Sequence, residues 1–262
     1  MLLKDKVVII SGIGPGLGTE LALRAAEQGA KLAIAARTAS KLDAAEMAVQ
    51  ALGLDTPVLK VVTDITDKQA CKNLAEQTVA AYGCIDCLVN SAYNPGSFSP
   101  VEDADLDGWR NAMEVNFFGT MNLSLEVIAQ MKKQGGGAIV NVNTMVTRKP
   151  MPTQAGYGAS KAALSSATSH MALELGAYNI RVNSAYMGWM WGASVKGYFD
   201  WQAHTTGVSV EELKGEVEKN IPLGKIPTDA DCAKAVIFLA SDYACAVTGA
   251  CLDVNGGEYL PH

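Results

Sequence analysis

The sequence predicts an α/β fold: one doubly wound domain, built on a seven-stranded parallel sheet with helices on both faces. Three observations predict it. Short β-branched runs alternate with amphipathic helical stretches along the whole chain, and a glycine cluster directly follows the first run. No Pro/Ser-rich linker, repeat or low-complexity tract divides residues 1–262. Strands alternating with helices imply right-handed crossovers, hence a parallel sheet covered on both faces. A chain of 262 residues that is 49% hydrophobic can bury one large core, so a single domain is expected.

In order, residues 6–11 form a buried first strand, and the glycine-rich turn opens an Ala/Leu-rich helix over residues 17–28 that Gly29 ends. Lys31–Ala36 is the second strand, followed by a helix over 40–52 that breaks at Gly53. Val58–Val62 is the third strand, Lys68–Tyr82 a helix and residues 86–90 the fourth strand. A long helix over 106–134, with a bend near Gly119, leads to strand five at 138–143. The helix carrying Tyr157 runs to about residue 178, and 181–185 is strand six. Residues 188–220 read as irregular and aromatic, a substrate-binding loop. A helix over 229–241 and the strand Cys251–Val254 close the fold.

Composition excludes several functions. A net charge of −6, a pI near 5.1 and the lack of any basic block argue against binding a phosphate backbone. No stretch reaches the 18 or so apolar residues of a membrane span, and charges at Lys4, Asp5 and Lys6 interrupt any signal-peptide core. A cytoplasmic location is expected. The six cysteines are scattered through apolar runs, as free thiols are in a reducing compartment. Cys84-Ile85-Asp86-Cys87 has C-x-x-C spacing, but it enters a strand and has no second pair, and the three histidines are distant in sequence. It is read as packed thiols, and no metal site is assigned.

The turn Gly12-Ile13-Gly14-Pro15-Gly16-Leu17-Gly18 suits a pyrophosphate. Glycines let the backbone approach the phosphates, and the helix start supplies free N–H groups and partial positive charge. At the end of the second strand a ribose-reading carboxylate is missing, and Ala36 is followed by Arg37. An acid there would repel a 2′-phosphate, whereas Arg37 can pair with one, so NADP(H) is favoured over NAD(H).

Tyr157 and Lys161 lie four residues apart, one turn from each other on one helix face. A phenol with an ordinary pKa of about 10 is a poor proton-transfer group at neutral pH, and a neighbouring ammonium stabilises its anion. Thr144 brings a hydroxyl that can orient a carbonyl or alcohol oxygen.

Together these motifs resemble those of the short-chain dehydrogenase/reductase family over essentially the whole chain. The likeness rests on Gly12, Gly16, Gly18, Asp64, Asn90-Ser91-Ala92, Asn116, Tyr157-Gly158-Ala159-Ser160-Lys161, Arg181-Val182-Asn183 and Val254-Asn255-Gly256-Gly257. The resemblance implies a Rossmann-type fold with Tyr157 as general acid/base and Lys161 lowering its pKa while bonding the nicotinamide ribose. Thr144 stands in the family's serine place, and Asn116 holds the helix and a water in a relay to Lys161. Gly14, Leu17, Ile65, Asn90, Ala92, Gly188 and Met190 are placed along the cofactor, with Asp64 at the adenine. The family also implies a homotetramer, or a dimer, through its two long central helices.

Departures from the family pattern are Thr144 for serine, Tyr93 for the last glycine of Asn-Asn-Ala-Gly, Met187-Gly188 for Pro-Gly and Gly192 for a threonine. Tyr93 should narrow the pocket or stack on the substrate. Three of four tryptophans (Trp189, Trp191, Trp201) fall within residues 189–201, which suggests a lid over a bulky apolar substrate. Tyr93, Met145, Met151, Trp189 and Trp191 are the candidate substrate residues, with the methionines as adaptable walls. The activity expected is NAD(P)(H)-dependent interconversion of a secondary alcohol and a ketone, the substrate hydrophobic and cyclic or aryl. The alternatives are a 3-oxoacyl reductase acting on carrier-bound chains and a non-catalytic NADP(H)-binding sensor.

Overall fold

The computed structural model describes residues 1–261, and His262 lies outside them. Its seven strands are β1 (Val7–Ser11), β2 (Lys31–Ala36), β3 (Val58–Val62), β4 (Cys87–Asn90), β5 (Gly137–Thr144), β6 (Ile180–Met187) and β7 (Cys251–Val254). They pair in parallel in the order β3-β2-β1-β4-β5-β6-β7. The strand order reverses between β1 and β4, where such sheets open a crevice at their carboxyl ends.

Alternation within β1 explains why both faces are covered. Val8 and Ile10 face one core with Leu21, Ala25, Leu42 and Val236, from α1 (Leu17–Glu27), α2 (Ala39–Gln50) and α9 (Asp229–Ala240). Ile9 faces the other with Leu74, Leu123, Val127 and Met171, from α3 (Lys68–Tyr82), α5 (Thr120–Gln134) and α6 (Ala155–Leu175). Each buried aliphatic side chain of this size contributes about 1.5–3 kcal/mol of transfer free energy, so the two-sided pattern holds the sheet in register.

The helix expected over 106–134 is divided. After α4 (Leu106–Met113) comes one π-helical segment, Glu114–Gly119, before α5 begins. The widened turn brings Asn116 to full burial against the loop after β4. It also sets Gly119 so close to Ile65 that an added Cβ would lie 2.8 Å from Ile65 Cγ1. Short π segments of this kind commonly mark functional sites.

The reading of 188–220 as irregular is corrected: the segment folds into α7 (Ala193–Thr206) and α8 (Val210–Glu218). Ser209 and Glu212 form a capping box that starts α8. Phe199 is buried with Ile221 and Ile226, and Trp189, Trp191, Val195 and Leu213 pack around them. Phe199, Trp189 and Trp191 thus belong to a small core of their own under two surface helices, while Tyr198 and Trp201 stay exposed.

All six cysteines are free thiols. Burial pushes the thiols of Cys71, Cys87 and Cys232 up to about 12, which makes them inert at neutral pH. Cys84 turns to Asp86, its Sγ 3.5 Å from Oδ2. No helix among the described residues is long and apolar enough to cross a membrane.

Candidate active site

At the carboxyl ends of the strands lies a cavity of roughly 540 Å³, running from the glycine turn to Tyr157 and on to Trp189. Gly12 has φ +86°, and a side chain there would overlap the backbone of Ala92. The turn therefore closes directly onto the loop after β4. No side chain caps α1 at Gly16, which leaves the leading N–H groups of the helix for an anion. A Cβ on Gly14 would meet only Lys41 Cδ, at 3.9 Å, so the turn is open on the cleft side. Gly12, Gly14, Gly16, Leu17 and Gly18 all line the cavity. This cradle, free of side chains and facing a helix start, fits a dinucleotide pyrophosphate.

Beyond β2, Arg37 lines the cavity, with Thr38 and Lys41. Lys41 lies outside the glycine turn, and only the packing of α2 brings it to the cavity. It stands in the first turn of α2, four residues after Arg37. Asp64 and Ile65 line the cleft past β3, and one Asp64 oxygen accepts from Thr66 N at 3.0 Å and from its hydroxyl at 2.8 Å, which fixes that turn.

Thr144 is the last residue of β5, and Tyr157 sits in the first turn of α6. Asn143 binds the two elements together: its Nδ2 donates to Lys161 O at 3.3 Å and to Ser165 Oγ at 3.0 Å, while its Oδ1 accepts from Thr144 N at 2.8 Å. Thr144, Tyr157 and Lys161 all face the cavity. Burial holds the Tyr157 phenol well above its usual range, the Tyr93 phenol adds to this, and the Thr144 hydroxyl pulls the other way. The expected acidification by Lys161 is not found in the protein alone. Burial brings the Lys161 ammonium down to about 8, and its Nζ donates to Val142 O at 2.8 Å.

Three expected site residues lie off the cavity wall. Asn90 is buried behind it, its Nδ2 donating to Ser124 Oγ at 3.0 Å and to Asn141 Oδ1 at 2.9 Å. Asn116 donates to Asn94 O and Ser160 Oγ, both at 2.8 Å, and accepts from Asn94 N at 2.7 Å. Its amide clamps the π segment to the loop after β4 and to α6, with no direct bond to Lys161. Trp191 faces a neighbouring depression, its ring between Lys196 and Lys214, whose Nζ atoms are 5.6 and 5.0 Å from its centroid.

The remaining candidates, Ala92, Tyr93, Met145, Met151, Gly188, Trp189 and Met190, line the cavity. Tyr93 meets Tyr157 edge-on, with ring centroids 6.5 Å apart. Phe98, Gln154, Val195 and Asp229 line it too and were not foreseen. Gln154 was legible in principle, standing one turn before Tyr157. Asp229 was not, since only the packing of α9 on α1 brings it to Gly16, where an added Cβ would lie 3.1 Å from its Oδ2. Burial holds its carboxyl above the usual range, Glu20 adds to this and Lys196 opposes it.

Comparison with known proteins agrees with this geometry. A family model described as Enoyl-(Acyl carrier protein) reductase matches residues 12–258. The chain is 33% identical to the 3-oxoacyl-[acyl-carrier-protein] reductase FabG of Thermotoga maritima, across 98% of this chain and 99% of that one. It is 34% identical to 2-(S)-hydroxypropyl-CoM dehydrogenase 3 of Xanthobacter autotrophicus, across 97% of each. Among solved structures, an NAD+-bound xylitol dehydrogenase superposes with a TM-score of 0.90 at 30% identity, covering 98% of this chain and 100% of that one.

Proposed function

The chain belongs to the short-chain dehydrogenase/reductase family of oxidoreductases, and we propose that it is an NADP(H)-dependent ketoreductase acting on an uncharged, hydrophobic cyclic or aryl ketone. The observation that carries this reading is the convergence of Tyr157 and Thr144 on the cavity that begins at the glycine turn. Arg37 and Lys41 flank the place where a 2′-phosphate would project past Ala36, and no acid there opposes it. Tyr93, Phe98, Met145, Met151 and Trp189 line the same cavity as Tyr157, which suits an apolar ring.

Bound NADP(H) supplies the hydride for the carbonyl carbon. The protein's part begins with the Tyr157 hydroxyl, which gives its proton to the carbonyl oxygen as negative charge develops there. Burial holds the phenol above its usual range, so Tyr157 carries its proton at neutral pH until the carbonyl oxygen takes it. Thr144 donates a hydrogen bond to the same oxygen. Lys161 keeps a positive charge beneath the phenol and stabilises its anion after transfer. Asn116 and Asn143 contribute by fixing α6 against β5 and the π segment, and Met190 and Gly188 frame the nicotinamide end.

A carrier-linked 3-oxoacyl substrate is the second reading, favoured by the likeness to FabG. A homotetramer or dimer is proposed as well, since Phe118, Leu125 and Leu173 on the central helical elements are half-exposed or more. The experiment is NADPH oxidation against cyclic ketones, aryl ketones and a 3-oxoacyl thioester. Fastest turnover of the apolar ketones supports the first reading and fastest turnover of the thioester the second. NADPH binding with no oxidation by any of them rejects both.

A further inference from the structure

Gln154 occupies the N-cap position of α6 yet makes no capping hydrogen bond. Among the described residues its side-chain amide has one polar contact, Nε2 to the Met151 sulfur at 3.9 Å. A thioether is a weak acceptor, so two N–H donors and a carbonyl oxygen are left uncommitted. The residue is half-buried and touches Met151, and it lines the cavity together with Tyr157, Phe98, Met145, Met151 and Trp189. The charged side chains lining the cavity are Arg37 and Lys41 after β2, Asp64 after β3, Asp229 beside Gly16, and Lys161, whose Nζ is held by Val142 O. A solvated surface glutamine needs no partner. One turned into an apolar cleft meets water only until a ligand displaces it, and then loses those hydrogen bonds unless the ligand replaces them.

We infer that Gln154 reads a second, uncharged oxygen on the substrate, a hydroxyl or carbonyl set apart from the one that reacts at Tyr157. Gln154 at the N-cap and Tyr157 in the first turn leave the same end of α6 and both line the cavity, so the two polar groups suit oxygens on different carbons of one ring. The substrate class becomes a ring ketone carrying another hydroxyl or carbonyl, and not a plain hydrocarbon ketone. An amide offers both donor and acceptor, so it accepts either group while supplying no charge for an acid. The inference rests on the ketoreductase reading and narrows it.

The test measures kcat/KM with NADPH for matched pairs, 3- and 4-methylcyclohexanone against 3- and 4-hydroxycyclohexanone, in wild type, Gln154→Met and Gln154→Leu. Methyl and hydroxyl are close in size, so the ratio within a pair isolates the hydrogen bond. Wild type should prefer at least one hydroxy ketone by about tenfold or more. Both variants should bring that ratio within about threefold of one. An equal loss on both members, with the ratio kept, assigns Gln154 a wall or folding role and overturns the inference. So does wild-type turnover of the methyl ketones with no hydroxyl preference. Wild type that reduces aryl ketones but none of the four overturns the inference alone, whereas NADPH binding with no oxidation by any ketone removes the ketoreductase reading and this inference with it.

Discussion

The Nζ of Lys161 donates to the main-chain carbonyl of Val142 at 2.8 Å, so the ammonium one turn past Tyr157 is anchored to β5. That anchor places a cation where burial disfavours it, and the protein alone carries the cost. Sites that hold such groups sacrifice stability for chemistry.

Lys161→Met should show this directly. A lysine lowered to about 8 binds fewer protons in the folded state than in the unfolded chain between that value and its ordinary 10.5. Wild-type stability from this group therefore rises with pH across that window and falls as pH drops through 8. The melting-temperature difference between variant and wild type should move in favour of wild type from pH 7 to pH 10, by an amount worth a few kcal/mol at about 1.4 kcal/mol per unit. A difference that does not change with pH would reject the buried-cation account.

Thr144→Ala should lower kcat by about 10² or more, the scale of a lost oxyanion donor. The Thr144 hydroxyl also accepts from Val146 N at 3.3 Å, so Thr144→Ser serves as the control that keeps both roles. Near-wild-type turnover in the alanine variant would show that another group, such as Tyr93, orients the oxygen.

Arg37→Ala with Lys41→Ala should weaken NADPH by tenfold or more and NADH by no more than about threefold, read by equilibrium fluorescence titration. Two guanidinium or ammonium contacts to a phosphate are lost in one case and none in the other. Equal losses would remove the 2′-phosphate site.

Phe199→Ala should loosen the lid. Phe199 is 1% exposed and anchors the small aromatic core of α7 and α8. Truncating a buried Phe removes about 3–5 kcal/mol in a full core. Here the loss should be local, seen as faster amide exchange over residues 193–218 and a raised KM for ketone. Unchanged exchange in that segment would show that the lid is held by something else.

Much of this was legible from the chain because the signals are local. β-branched runs such as Val7–Ser11 mark buried strands, and a spacing of four puts Tyr157 and Lys161 on one face whatever surrounds them. The lid was misread because its helices draw order from Phe199, Ile221 and Ile226, which meet only after folding. Of its two candidate tryptophans, Trp189 lines the cleft, while Trp191 packs away from it between two lysines. Asn116 shows the same limit. Its place was marked, but its partners, Asn94 and Ser160, come from two other elements. In the protein alone burial, which no spacing reveals, raises the Tyr157 phenol, and only the Thr144 hydroxyl pulls it down.

The central claim is that Tyr157 hands a proton to a ketone held against bound NADPH. It is tested most directly by comparing Tyr157→Phe with wild type in single-turnover NADPH oxidation on a ketone that wild type reduces. Loss of at least 10³ in rate, with the Kd for NADPH within about threefold of wild type, is the expected result. A variant that reduces the ketone at the wild-type rate would contradict it.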